Sequence, residues 1–142
     1  MYEYTGCGLE GIYLKNGYRT VESSYGSSVA IEDLEGLHRA IASDILGQKT
    51  PMSGHQFRFL RKEQDLVQNE LAALLRVDVQ TIANWEKKAR DAVPGPADVA
   101  MRACYCASIQ VRFGPVIVEP SAKADESAVF QWNDHAWSEM AA

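Results

Sequence analysis

Apolar residues recur at helical spacing along much of the chain, and three segments with this pattern are predicted to be helices. The first covers residues 32–46 and stops at Gly47, the second lies near 54–65 behind a Ser53 cap, and the third runs from about 96 to 110. Their apolar positions recur every three or four residues: Leu34, Leu37, Ile41 and Ile45, then Phe57 and Leu60, then Val99, Ala103 and Cys106 or Ala107.

Residues 68–88 show the same spacing twice, with a turn between the two halves. One face is apolar through Leu71, Ala72, Leu74, Leu75, Val77, Ile82 and Trp85. Between the apolar positions of the second half stand polar side chains that can contact base edges and phosphates: Gln80, Thr81, Asn84 and Lys87. Ala72 is small where two helix backbones cross closely. The segment therefore predicts a helix-turn-helix that binds DNA, and the alternative is a helical hairpin of the same fold used only for protein contacts.

The first 31 residues are typical of strands. Residues 12–15 and 18–21 flank Asn16-Gly17, a strong short hairpin signal, and Tyr25-Gly26 marks a second turn before residues 28–30. We therefore expect a small antiparallel meander over residues 1–31.

The carboxy-terminal residues 111–142 are predicted to be extended. Residues 111–118 favour a strand, 119–127 are small and polar like a linker, and 128–132 and 135–138 flank a second hairpin turn at Asn133-Asp134. Trp132 and Trp137 are expected to pack on the amino-terminal meander or to form a dimer or partner surface. The predicted fold class is α+β: a helical domain over 32–110, and a small antiparallel β annex formed by residues 1–31 and 111–142.

The helix-turn-helix residues resemble the XRE family of DNA-binding domains, which comprise five helices. The matching positions are Gln68, Leu71-Ala72, Val77, Thr81-Ile82 and Trp85-Glu86. Two positions depart from the family pattern: Arg76 replaces the usual turn glycine, and Lys88 replaces a glycine that often closes the second helix. A non-glycine residue with positive φ in the turn costs about 1 kcal/mol.

The resemblance implies separate roles for the residues on and around the second helix. The expected base contacts are Val79, Gln80, Thr81, Ala83 and Asn84. The expected phosphate contacts are Gln68, Arg76, Lys87 and Lys88, joined by the basic trio Arg58, Arg61 and Lys62 unless that trio is only a solvated helix face. Trp85 is expected to be structural. One such domain buries little surface, so we expect a homodimer that binds a palindromic operator and represses its own operon.

A second resemblance, to MqsA-type antitoxin regulators, extends over more of the chain. It rests on Cys7-Gly-Leu, Asn16-Gly17, residues 29–41 and residues 57–63. The amino-terminal unit of the family's type member binds zinc through two Cys-x-x-Cys pairs, whereas this chain has only Cys7 there, so no zinc site is carried over. The alternatives to an autorepressor are a module that neutralises a small toxin protein and a stand-alone phage-type or anti-defence repressor.

Charge is distributed unevenly along the chain. The net charge is −5, yet residues 55–90 carry 7 basic and 5 acidic side chains, whereas residues 1–54 carry 4 basic and 7 acidic ones. Phosphate contacts depend on the field within about 8–10 Å, so an acidic total does not exclude DNA binding. The acidic remainder leaves a surface that suits a basic protein partner.

Other functional classes find little support in the sequence. Cys7 or Cys104 combined with His38 or His135 would give a nucleophile and a base, but nothing fixes their geometry, and no glycine-rich phosphate loop appears. We therefore predict no enzymatic activity, no cofactor and no metal. Without a run of about 18 apolar residues or a signal pattern, we expect a cytoplasmic protein that does not span a membrane.

Overall fold

The computed structural model describes residues 1–110 and 127–140, and they form two compact units. The first unit combines Met1–Asp44 with the carboxy-terminal segment, and the second begins at Ile45. The described residues contain five helices and six strands, so the predicted α+β class is confirmed. The boundary between the units falls inside the first helix, whereas the sequence pattern suggested a division at residues 31 and 32.

Strands from both ends of the chain build the main sheet of the first unit. Its order is β1 (Tyr2–Glu3), β2 (Ile12–Leu14), β5 (Ala128–Trp132) and β6 (Trp137–Glu139). Its core includes the fully buried Leu14 and Phe130, which are register partners in β2 and β5. The β2–β5 pair is parallel, so the prediction of an entirely antiparallel annex is wrong for this pair.

The hairpin predicted at Asn16-Gly17 is also wrong. The strand that follows, β3 (Tyr18–Ser23), pairs instead with β4 (Gly26–Ile31) in a separate two-stranded sheet, whose turn agrees with the one predicted at Tyr25-Gly26. Asn16 and Gly17 serve the carboxy-terminal hairpin instead. The Asn16 side chain accepts the Trp132 backbone N–H at 2.7 Å and donates to its carbonyl at 3.2 Å. β5 thereby lies beside β2 in the place that β3 was predicted to take.

The carboxy-terminal hairpin is confirmed as a β5–β6 pair whose turn contains Asp134 with φ of 73°. The Trp137 indole Nε1 donates to the carbonyls of Glu32 and Asp33 at 2.8 and 3.1 Å, and its ring centroid lies 5.9 Å from that of Trp132. Of the alternatives proposed for the two tryptophans, the structure supports packing on the amino-terminal residues.

Five helices follow β4 in the described chain: α1 (Leu34–Gly47), α2 (Gly54–Glu63), α3 (Gln68–Leu75), α4 (Val79–Lys87) and α5 (Gly95–Ser108). α1 begins two residues later than predicted, because Asp33 precedes it and accepts the backbone N–H of Gly36 through its carboxylate. Ser53 caps α2 as predicted, with Gln56 completing a reciprocal capping box. None of the helices described is long and apolar enough to cross a membrane.

The predicted apolar edge of α5 is wrong at Val99, which is exposed. The buried face instead runs through Ala97, Asp98, Met101, Arg102, Tyr105 and Cys106. Asp98 and Arg102 form a buried ion pair at 2.9 Å, and Arg102 also donates to the carbonyls of Leu46, Gln48 and Thr50. An inward-facing charged pair therefore shifts the buried face away from Val99. The predicted strand at 111–118 and nearly all of the linker that follows it lie outside the described residues.

Candidate nucleic-acid interface

The turn between α3 and α4 has the conformation that the sequence analysis expected. Arg76 adopts left-handed backbone angles, with φ of 58° and ψ of 45°, and its N–H donates to the Ala72 carbonyl. The Val77 N–H donates to the same carbonyl at 3.0 Å. Asp78 then precedes α4, and its carbonyl accepts the N–H groups of Thr81 and Ile82. The two helices therefore meet through a short turn behind which Ala72 is buried.

Packing against α2 fixes the inner face of α4. Ile82 is fully buried, and Trp85 packs edge-to-face on Phe57, with ring centroids 5.7 Å apart and an interplanar angle of 88°. Gly54 allows the start of α2 to approach the end of α4, since a Cβ there would lie only 2.1 Å from the Trp85 carbonyl oxygen. Trp85 therefore has the structural position expected for it.

The opposite face of α4 presents the side chains predicted to contact bases. Val79, Gln80 and Asn84 are exposed, while Thr81 and Ala83 are half-buried beside them. The Gln80 Nε2 donates to the Asn84 Oδ1 at 2.9 Å, as the spacing of four residues on one helix face allows. The two amides thus form a joined pair that still has donor and acceptor capacity toward solvent.

Five of the residues predicted to contact phosphate through a positive charge are exposed on the second unit: Arg58 and Lys62 on α2, Arg76 in the turn, and Lys87 and Lys88 at the end of α4. Arg90, a little further along the chain, is exposed as well. The positive excess of residues 55–90 is therefore found on the surface.

The prediction that Arg61 is a surface cation available to phosphate is corrected by the structure, in which its side chain is buried. Its side chain is 9% exposed, and its guanidinium Nε and Nη2 donate to the two carboxylate oxygens of Glu86 at 2.8 and 2.9 Å. Its Nη1 donates to the Leu66 carbonyl at 2.8 Å. Arg61 stands four residues after the buried Phe57, so it shares the inner face of α2, and this spacing was a signal available in the sequence.

Gln68 is half-buried at the start of α3 and forms a hydrogen bond with the carboxylate of the Arg61–Glu86 ion pair. Its Nε2 donates to the Glu86 Oε1 at 3.1 Å. Glu86, only 4% exposed, therefore accepts hydrogen bonds from both α2 and α3 while belonging to α4. In the sequence, only the family resemblance pointed to Glu86, and no pattern of residues indicated this network.

Two titratable groups outside this face have raised pKa values. Burial, a hydrogen bond with Glu139 and repulsion from its charge raise the pKa of Asp44 to about 7, and burial raises the pKa of the Cys104 thiol. The Cys104 thiol donates to the Gln64 Oε1 at 3.1 Å. Within the part of the chain that the structure describes, no three His, Cys, Asp or Glu side chains are arranged to hold a metal ion.

Comparison with known proteins adds no relative: no protein-family model, no curated protein and no solved structure matches the chain.

Proposed function

We propose that this protein is a sequence-specific DNA-binding regulator that represses transcription of its own operon. The observation that carries the proposal is the outer face of α4, where exposed Gln80 and Asn84 stand on a helix held from behind by Trp85 and Ile82. A helix diameter of about 10–12 Å suits a major groove about 12 Å wide. Amide side chains at its surface can bind adenine edges, and Val79 and Ala83 can contact thymine methyl groups.

The charges around this face support the same proposal. Arg58, Lys62, Arg76, Lys87 and Lys88 are exposed on the elements that flank or contain α4, and they suit phosphates better than bases. With Arg61 neutralised internally by Glu86, these exposed cations supply the attraction to DNA. We expect the affinity to fall steeply with salt, because each neutralised phosphate releases counterions.

A two-fold dimer on a palindrome completes the proposed mechanism. Two recognition helices would then occupy half-sites about 34–36 Å apart on one side of the duplex. Binding across a promoter would exclude RNA polymerase from it. The proposed partners are therefore operator DNA and a second copy of the chain.

The direct test is selection of duplexes from a random library by the purified protein, followed by binding measurements with the Gln80→Ala/Asn84→Ala variant. We expect one enriched palindromic sequence, and loss of its preference over random DNA in the variant. Each amide that contacts a base contributes about 1–3 kcal/mol of discrimination, so two should account for a factor of about 30 or more. Gln131→Ala, which changes a half-buried amide on β5 in the first unit, is the control. Equal binding by variant and parent would refute the assignment of α4.

The acidic excess of residues 1–54 favours a second candidate, a module that neutralises a small basic toxin protein. This activity and DNA binding are compatible within one chain. Co-purification with the product of the adjacent gene tests it, and a complex that survives disruption of α4 would assign the interaction to another surface.

A further inference from the structure

We propose that Glu86 is a positioning residue for DNA binding: it holds the Gln68 side chain at the start of α3 in the orientation that contacts a phosphate. The inference rests on the proposed function, since it concerns how the same interface is organised. Glu86 itself is buried, so its carboxylate is not available at the surface for a contact with DNA. Its effect is transmitted through the Gln68 amide, to which it is hydrogen-bonded.

The hydrogen-bond geometry defines what Gln68 can offer. A glutamine amide carries two N–H donors on one nitrogen, and Glu86 accepts from that nitrogen at 3.1 Å. One N–H is thereby directed inward, and because the amide is planar, the other has a fixed direction. Gln68 is half-buried, so its remaining donor can meet solvent or a phosphate oxygen. A freely rotating glutamine would have to lose side-chain entropy on contact, whereas this one has already lost it.

The anchor is itself rigid. The Glu86 carboxylate is held by two guanidinium hydrogen bonds of 2.8 and 2.9 Å from Arg61, which also donates to the Leu66 carbonyl two residues before Gln68. The network therefore joins α2, the loop before α3, the first residue of α3 and the end of α4. One buried carboxylate consequently relates the proposed phosphate contact at Gln68 to the helix that carries Gln80 and Asn84.

A cycle of binding measurements on the selected duplex tests this role. Gln68→Ala is expected to weaken binding by about tenfold or more on any sequence, because it removes one hydrogen bond to a charged group. Arg61→Met/Glu86→Leu removes the anchor without leaving a buried charge, and such replacements commonly preserve the fold. We expect a loss of about two- to tenfold, the cost of ordering one freed side chain on contact, and a smaller effect of Gln68→Ala in this background than in the wild-type protein. Lys87→Ala, which removes another proposed phosphate contact, should instead add its full effect to that of the anchor variant.

Two readouts separate positioning from a general loss of stability. The slope of log affinity against log salt should stay near its wild-type value in the anchor variant, because Gln68 carries no charge, whereas Lys87→Ala should reduce it by about 0.9. In wild-type protein without DNA, the Gln68 side-chain amide should show an NMR heteronuclear NOE close to that of the α3 backbone. This second measurement needs no variant, so it holds even if Arg61→Met/Glu86→Leu does not fold.

The outcomes distinguish the two proposals. Wild-type affinity in the anchor variant, a full additional loss from Gln68→Ala within it, or a mobile Gln68 amide would each overturn the positioning role while leaving DNA binding intact. If the wild-type protein selects no duplex, the proposed function itself fails, and the positioning role fails with it.

Discussion

The Asp44–Glu139 pair makes the stability of the first unit dependent on pH. Asp44 lies in the last turn of α1 and forms a hydrogen bond with Glu139 of β6, so one of the two carboxyl groups must hold a proton. Burial first, and then the hydrogen bond and the repulsion from Glu139, raise the pKa of Asp44 from 3.8 to about 7. The folded protein therefore retains a proton that the unfolded chain releases near pH 4.

The sign of the effect follows from this proton. Between pH 4 and pH 7 the folded state binds more protons than the unfolded state, so the free energy of unfolding decreases as the pH rises. The contribution is fully present below pH 4 and is lost as the pH passes through about 7. A pKa change from 3.8 to about 7 corresponds to about 4 kcal/mol. Because Asp44 is only half-buried, screening by solvent reduces the expected effect to about 1–2 kcal/mol.

Asp44→Asn isolates this contribution, since the amide stays neutral and can still donate to Glu139. Urea unfolding at pH 4, 5, 6, 7 and 8 should give similar stability for the two proteins at pH 4, and a variant whose advantage grows with pH to about 1–2 kcal/mol at pH 8. A Trp85→Phe background lets the fluorescence of Trp132 and Trp137 report on the first unit. Glu35→Gln, exposed in the first turn of the same helix, serves as control. A difference between Asp44→Asn and its parent that does not change with pH would refute the reasoning.

Three further predictions concern individual side chains. Glu86→Ala leaves the Arg61 guanidinium buried without its carboxylate and should destabilise the second unit by about 3–5 kcal/mol in urea unfolding followed by circular dichroism, whereas Lys62→Ala should change stability by less than about 0.5 kcal/mol; equal effects would contradict the buried pair. Arg76→Gly should raise stability by up to about 1 kcal/mol, because glycine adopts φ of 58° without strain, and a lowered melting temperature would count against that turn. Gly17→Ala should cost about 2–4 kcal/mol, because its Cβ would lie 2.7 Å from the Trp137 ring at a φ of 76°, whereas Gly8→Ala, with φ of 80° and open space, should cost only the strain of about 1 kcal/mol; equal losses would exclude the indole contact.

Local patterns predicted much of this fold because the forces that they report act over a few residues. The Ser53 cap, the turn at Asn133-Asp134 and the left-handed residue in the α3–α4 turn each depend on neighbours along the chain, and each is present. The turn at Arg76 is informative, because the geometry is retained although glycine is absent. Its backbone is held by the helices on either side, so their packing outweighs a cost of about 1 kcal/mol.

Pairing between distant segments could not be predicted in the same way. Asn16-Gly17 has the sequence of a hairpin turn, yet Asn16 forms its hydrogen bonds with Trp132, 116 positions away. A local preference for a tight turn is worth little beside the burial of Leu14 and Phe130 in adjacent strands. Nothing in the sequence near residue 16 reports on a strand that begins at Ala128.

The charged residues show why the candidate interface was predicted nearly, but not fully, from sequence. A pattern of basic residues along α2 does not state which way each side chain points, and Arg61 stands beside Arg58 and Lys62 as one of three apparent phosphate contacts. Only its spacing of four from Phe57 distinguishes it, because that spacing places it on the inner face, where Glu86 neutralises it.

Arg102 repeats the case on α5, where Asp98 holds it inside and Val99 is left at the surface. In both helices the buried cation has a carboxylate partner that is itself buried, as desolvation requires. Cations without such a partner have to remain in water, and those at the surface of α2 and α4 are the ones proposed to meet the DNA backbone.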